Sequence, residues 1–154
     1  MILIYLFIIT FLVCIDQFVK KVVITYIPLF ESKEVIPDFF YLTNVRNTGA
    51  AWSIMEGEKI TFIIITIVAI IVFLYFILFS KTTTKLDRIA FTLMCGGAIG
   101  NLIDRIINSY VIDFLDFYIF GYDFPVFNLA DAFLCIGVGL LIINMLLEKR
   151  NAKH

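Results

Sequence analysis

The sequence predicts an all-α integral membrane protein of four transmembrane helices, with two short outer segments between them. Two observations lead there. Hydrophobic residues make up 62% of the chain and charged residues 16%, with a mean hydropathy of +1.01, whereas soluble domains run at about 45–50% apolar and about 25% charged. The apolar residues are also gathered into four runs that approach membrane-crossing length.

The first span, 1–26, runs uncharged from Met1 to Ile15, meets Asp16 and continues as QFVKKVVITYI. No basic residue precedes Lys20, so the positive leader of a cleavable signal peptide is missing and the segment is expected to be retained. The second span, 60–80, carries no charge at all. The third, 89–106, is rich in small residues, and its Gly96 and Gly100 stand at GxxxG spacing, which lets helix backbones approach closely. The fourth, 126–147, is interrupted only by Asp131. These spans make one membrane-embedded domain, 1–154, with outer segments at 28–59 and 107–125.

The first outer segment contains FFYLTNVRNTGAAW (39–52), which is β-prone and carries a turn signal at Asn47-Thr48-Gly49. The second contains YVIDFLDFYIFGYDFPVF (110–127), crowded with Phe and Tyr, with Gly121 marking a turn. Both are expected as short strands or hairpins on the outer leaflet, their rings at headgroup depth.

Orientation follows from the density of basic residues. Lys81, Lys85, Arg88, Lys149, Arg150 and Lys153 crowd into two short stretches, 81–88 and the C-terminal tail. On the other side, Lys20, Lys21, Lys33, Arg46, Lys59 and Arg105 are spread over longer segments. The crowded side is expected to be cytoplasmic, which puts both termini there.

Few residues can carry chemistry. The single histidine, His154, leaves no Ser-His-Asp triad, Cys-His pair or histidine-based zinc site to build. Cys14, Cys95 and Cys135 lie in apolar runs without metal spacing and are read as small buried hydrophobes. Neither a metal, nor a cofactor, nor a nucleic-acid partner is expected. What remains is a set of polar residues near the outer ends of the spans. Asp16 and Lys20 stand i,i+4 and can pair. Gly97, Asn101 and Arg105 recur every fourth residue along one face.

Asp131 poses the sharpest question, because a lone carboxylate at the centre of a span costs about 2.5–3.5 kcal/mol. Two neighbouring carboxyls that share a proton carry about one charge instead of two, which makes such a setting tolerable. In that state one member takes a proton from water while the other donates one to a carbonyl oxygen. This is the chemistry of an aspartic peptidase. From residues alone the partner of Asp131 is Asp113, Asp104 or Asp116. A proton-coupled transporter would instead string charges through the membrane depth, and a lipid-binding scaffold would tolerate Asp131→Asn.

The motifs DQFVK (16–20), NTGAAW (47–52), GGAIGNLIDR (96–105), VIDF (111–114) and FNLAD (127–131) resemble, in order and spacing, the lipoprotein signal peptidases of bacteria, or signal peptidase II. The resemblance spans nearly the whole chain, with no departure at these positions. It implies four transmembrane helices with a small extracytoplasmic β-cradle and a short outer helix or loop over the site. It also implies an aspartic endopeptidase of the bacterial cytoplasmic membrane, cutting diacylglyceryl-modified prolipoproteins just before the lipidated cysteine. Membrane lipids would surround it and the cyclic peptide globomycin would block it. The family's catalytic aspartates map onto Asp113 and Asp131. Its supporting residues map onto Asp16, Lys20, Asn47, Gly97, Asn101, Arg105 and Asn128. Asp104 then becomes a neighbour of Arg105, and Asp116 an outer-segment charge.

Overall fold

The computed structural model describes residues 2–49 and 58–151. Its helices α1 (Ile2–Tyr26), α2 (Lys59–Leu78), α3 (Lys85–Asn108) and α4 (Leu129–Asn151) are all long and apolar enough to cross a membrane. Between α1 and α2 lie β1 (Ser32–Ile36) and β2 (Phe40–Asn47); between α3 and α4 lie β3 (Val111–Ile119) and β4 (Tyr122–Asp123). The strands form one antiparallel sheet in the order β1-β2-β3-β4. The all-α description is therefore too narrow. Both outer segments emerge at the same end of the bundle, and their backbones pair there, Asn47 opposite Val111 and Phe40 opposite Phe117.

The α1 helix is apolar on its outer side and buries two charged residues within an otherwise apolar inner stripe. Its buried stripe is Ile9, Leu12, Asp16, Lys20 and Val23, stepping by three or four, while Leu3, Phe7, Phe11 and Phe18 are exposed. The opposite helix, α3, is the centre of the bundle and packs against the other three helices. Its small residues permit this. Gly96 lies against Leu12 of α1, a Cβ at Gly100 would meet Asp16 Oδ2 at 2.6 Å, and one at Gly97 would strike the Ala130 carbonyl of α4. The GxxxG spacing thus serves packing within the chain.

Capping sets where α3 starts and stops. Thr84 and Asp87 form a reciprocal capping box at its N-terminus. Ser109 takes the left-handed conformation (φ 69°) at its C-terminus, so the chain turns at once into β3. The β3–β4 connection is a two-residue turn in which Phe120 and Gly121 both have positive φ, 52° and 79°. That pattern fits the right-handed twist of a hairpin.

Of the cysteines, only Cys95 is buried; Cys14 and Cys135 are exposed. For Cys14 the reason is angular. It lies two residues from both Leu12 and Asp16, about 200° around the helix from the inward stripe at 100° per residue. Ala50–Trp52 of the NTGAAW motif, residues 53–57 of that outer segment and His154 lie outside the described residues. The short helix or loop expected over the site is not among the described elements.

Candidate active site

The site is built around a buried lysine. Lys20 Nζ lies 2.8 Å from Asp16 Oδ2 and 2.9 Å from Asp104 Oδ2, and donates to Asn101 Oδ1 at 3.1 Å. Lys20, Asp16 and Asp104 are each at most 1% exposed. One cation facing two carboxylates leaves a buried negative charge, and nearby donors absorb it. Gln17 Nε2 donates to Asp104 Oδ1, the Ile112 N–H to Asp104 Oδ2, and the Ala130 N–H to Asp16 Oδ1. The last of these comes from the first turn of α4, where backbone N–H groups lack helical partners and favour an anion. Asp16, Lys20 and Asp104 therefore lock α1, α3, β3 and α4 together.

Asn128 begins α4. Its Oδ1 accepts from the Asp131 N–H at 3.0 Å, and Asp131 Oδ2 accepts from the Asn128 N–H at 3.2 Å. This is a capping box written with Asn and Asp. The other Asp131 oxygen accepts from Asn101 Nδ2 at 2.7 Å. Asn101 is fixed in turn, because its Oδ1 receives both Lys20 Nζ and Asn128 Nδ2.

Asp113 arrives from β3, one residue past the Ile112 N–H···Asp104 tie near the strand's start. Asn128 Nδ2 donates to Asp113 Oδ1 at 2.7 Å, and Asn47 Nδ2 donates to Asp113 Oδ2 at 2.9 Å. Asn47 is aimed by its own turn, since its Oδ1 accepts from the Gly49 N–H at 2.9 Å and leaves the amide NH2 to face the carboxylate. All four oxygens of Asp113 and Asp131 thus accept one hydrogen bond from the protein. Burial first, and then the charge of Asp131, raise the Asp113 pKa from its ordinary 3.8 to about 7. The bonds from Asn47 and Asn128 and the charge of Lys20 pull the other way and do not prevail.

Asp113, Asp131, Asp16, Lys20, Asn47, Asn101 and Asn128 form one hydrogen-bonded network. Gly97 joins it through packing, as the contact that lets α4 sit beside α3. Arg105 stands at the margin. Its guanidinium lies over the Phe62 ring, 4.9 Å from the centroid, and reaches the Gly49 carbonyl at 3.4 Å.

Two residues outside the expected supporting set belong to the network. Asp104 is no bystander beside Arg105: it is the second carboxylate on Lys20. The every-fourth-residue face drawn from Gly97 ends on Arg105, whereas 3.6 residues per turn brings position 104 inward. Gln17, inside the DQFVK motif, joins by reach, its amide meeting Asp104 Oδ1 at 2.9 Å. Asp116 is also different from a plain surface charge. It is 6% exposed, accepts from the Thr43 hydroxyl, and lies three residues along β3 from Asp113, hence on the other face of the sheet.

Comparison with known proteins gives a consistent result. The profile of the family described as Signal peptidase (SPase) II matches residues 8–147. The lipoprotein signal peptidases of Staphylococcus aureus strains JH9 and Newman are each 44% identical over 144 residues, spanning 94% of this chain and 88% of theirs. A bacterial membrane enzyme solved by the in meso method at 2.3 Å resolution superposes with a TM-score of 0.89 at 43% identity, covering 96% of this chain and 90% of that one. Another, at 1.9 Å, gives 0.83 at 44% identity, with 92% of each chain covered.

Proposed function

The chain belongs to the signal peptidase II family, and on that premise we propose that it is an aspartic endopeptidase with Asp113 and Asp131 as its catalytic pair. Its substrates are prolipoproteins whose lipobox cysteine already carries a diacylglyceryl group, and the cut falls just before that cysteine. The whole chain, 1–154, acts as one membrane-embedded peptidase domain of the bacterial cytoplasmic membrane. Both termini are cytoplasmic, and the carboxylate pair sits near the outer face, where the scissile bond of a lipid-anchored substrate lies. Globomycin is expected to block it.

The observation that carries this reading is the bridge made by Asn128. One amide touches Asp113 and Asn101, while its carbonyl oxygen caps the turn that presents Asp131. Two carboxyls so joined, one of them with its pKa raised to about 7, suit a shared proton. A water held between them loses a proton to the ionised member and adds to the scissile carbonyl carbon. The protonated member gives its proton to the carbonyl oxygen. As the tetrahedral species collapses, a proton passes to the cysteine's departing amine, and no acyl-enzyme forms.

Asn47, Asn101 and Asn128 hold the carboxyls in register, supported by Asp16 and Lys20. Arg105, with its charge facing the pair's side of the bundle, is placed to meet a lipid phosphate or a backbone carbonyl of the substrate. The experiment is direct. The purified protein in lipid should cut a diacylglyceryl-modified prolipoprotein just before its cysteine, spare the unlipidated form and stop with globomycin. Efficient cleavage of the unlipidated form would overturn the substrate assignment.

A further inference from the structure

We propose that the sheet face turned away from Asp113 binds the ammonium group of an aminolipid headgroup, received by Asp116, Asp38 and the rings of Tyr41 and Tyr118. A cavity of about 510 Å³ opens on this face, lined by Ser32, Asp38, Tyr41, Asp116, Tyr118 and Gly121. Tyr41 pairs with Asp116 across β2 and β3, so both side chains share the face. Asp116 is the one buried residue of the lining.

Asp116 is also incompletely partnered. One carboxylate oxygen accepts from Thr43, and the other has no donor among the described residues. A buried acceptor left without a donor is uncommon, and it marks a place where a donor is wanted. The lining holds two carboxylates and no basic side chain, so a cationic donor would both fill that place and balance the charge. The field at the mouth has the same sign, because Asp123 and Asp116 raise the pKa of Tyr118. The Tyr41 and Tyr118 rings, edge to face at 5.3 Å, add aromatic surface of the kind that attracts an ammonium group.

The surroundings favour a lipid as its source. The hairpin ends flanking the cavity expose Ile36, Phe39, Ile119 and Phe120, the last of them completely. Such apolar ends, on a chain with four membrane-crossing helices, rest in the headgroup layer. A cation presented there is the amine of a neighbouring lipid. This inference rests on the membrane setting and is independent of the peptidase reading.

The test is native mass spectrometry of the intact protein in detergent with dioleoylphosphatidylethanolamine or dioleoylphosphatidylglycerol, comparing wild type, Asp116→Asn and Asp38→Asn. Wild type should hold the ethanolamine lipid at least ten-fold more tightly, and Asp116→Asn should erase that preference. Asp38→Asn, at an exposed position with φ 56° that Asn adopts readily, should weaken the preference several-fold and decides the matter if Asp116→Asn fails to fold. Equal retention of the two lipids by wild type, or an undiminished preference in the folded variants, overturns the proposal. Binding of a short lysine peptide in place of the ethanolamine lipid, lost in Asp116→Asn, would give the site to a polypeptide and also overturn it.

Discussion

Asn128 donates a hydrogen bond to Asp113 at 2.7 Å from the residue that caps α4, so the strand carboxylate and the helix carboxylate are registered by a single side chain. Replacing Asn128 with alanine removes this bond together with the cap. The cap alone is worth about 1 kcal/mol. Asn128→Ala should lower the unfolding temperature modestly and cut kcat/KM by about 100-fold, the scale of loss that follows a small misplacement of reacting groups. Unfolding scans and cleavage kinetics on one preparation would separate the two effects.

The raised Asp113 pKa gives a pH signature. The proposed mechanism needs a pair that carries one proton, and with its pKa raised to about 7, Asp113 holds a proton below that pH and loses it above. Cleavage should therefore fall as pH rises through about 7. Asn47 stabilises the ionised carboxylate, so Asn47→Ala should let Asp113 keep its proton longer and move that alkaline limb upward. A bond worth about 1 kcal/mol corresponds to a shift of about 0.7 units. Stability has the matching sign. The folded pKa exceeds the unfolded 3.8, so the contribution of Asp113 is complete below that value and is lost as pH climbs through about 7.

Lys20 is the positive centre of a buried charge cluster, and removing it strands Asp16 and Asp104. Lys20→Met should destabilise the protein by about 3–5 kcal/mol, the usual result of leaving a buried charge unpaired. Asp104→Asn leaves the Lys20–Asp16 pair in place. It should show a smaller loss of stability and retain turnover. Thermal unfolding of the two variants in the same detergent checks the ranking.

Gly97 and Gly139 form a matched pair of tests. A Cβ at Gly97 strikes the Ala130 carbonyl and must displace the start of α4, where Asp131 sits; one at Gly139 meets nothing within 4 Å. Gly97→Ala should lose about 100-fold in kcat. Gly139→Ala should keep full activity and gain up to about 1 kcal/mol of helix stability.

The membrane-crossing helices were readable because long uncharged runs such as Ile60–Ser80 have few other fates. Side-chain partners were less accessible. The Asp16–Lys20 pair is local, one helical turn apart, and its spacing reveals it. Its third member, Asp104, lies seven residues from Gly97, nearly in line with it at 3.6 residues per turn. Stepping by four from Gly97 leads to Arg105 instead, and that a carboxylate at position 104 meets Lys20 depends on how α3 is rotated against α1. Residue types alone left Asp104 and Asp116 open in place of Asp113 as the partner of Asp131. What separates them is three-dimensional. Asp104 is taken up by Lys20, Asp116 points through the far side of the sheet, and Asp113 alone meets Asn128. Cys14 and Cys135 show a related limit, since an apolar run conceals which of its faces is turned outward.

The most direct test of the account compares wild type with Asp113→Asn and Asp131→Asn on a diacylglyceryl-modified prolipoprotein. Asn keeps the shape and a hydrogen-bonding oxygen but can neither take a proton from water nor pass one to a carbonyl oxygen. Both variants should fold as wild type does, bind the substrate and cut it at least about 1,000-fold more slowly, within the range for loss of general acid–base catalysis. Turnover near the wild-type rate in either folded variant would contradict the assignment of Asp113 and Asp131 as the catalytic pair.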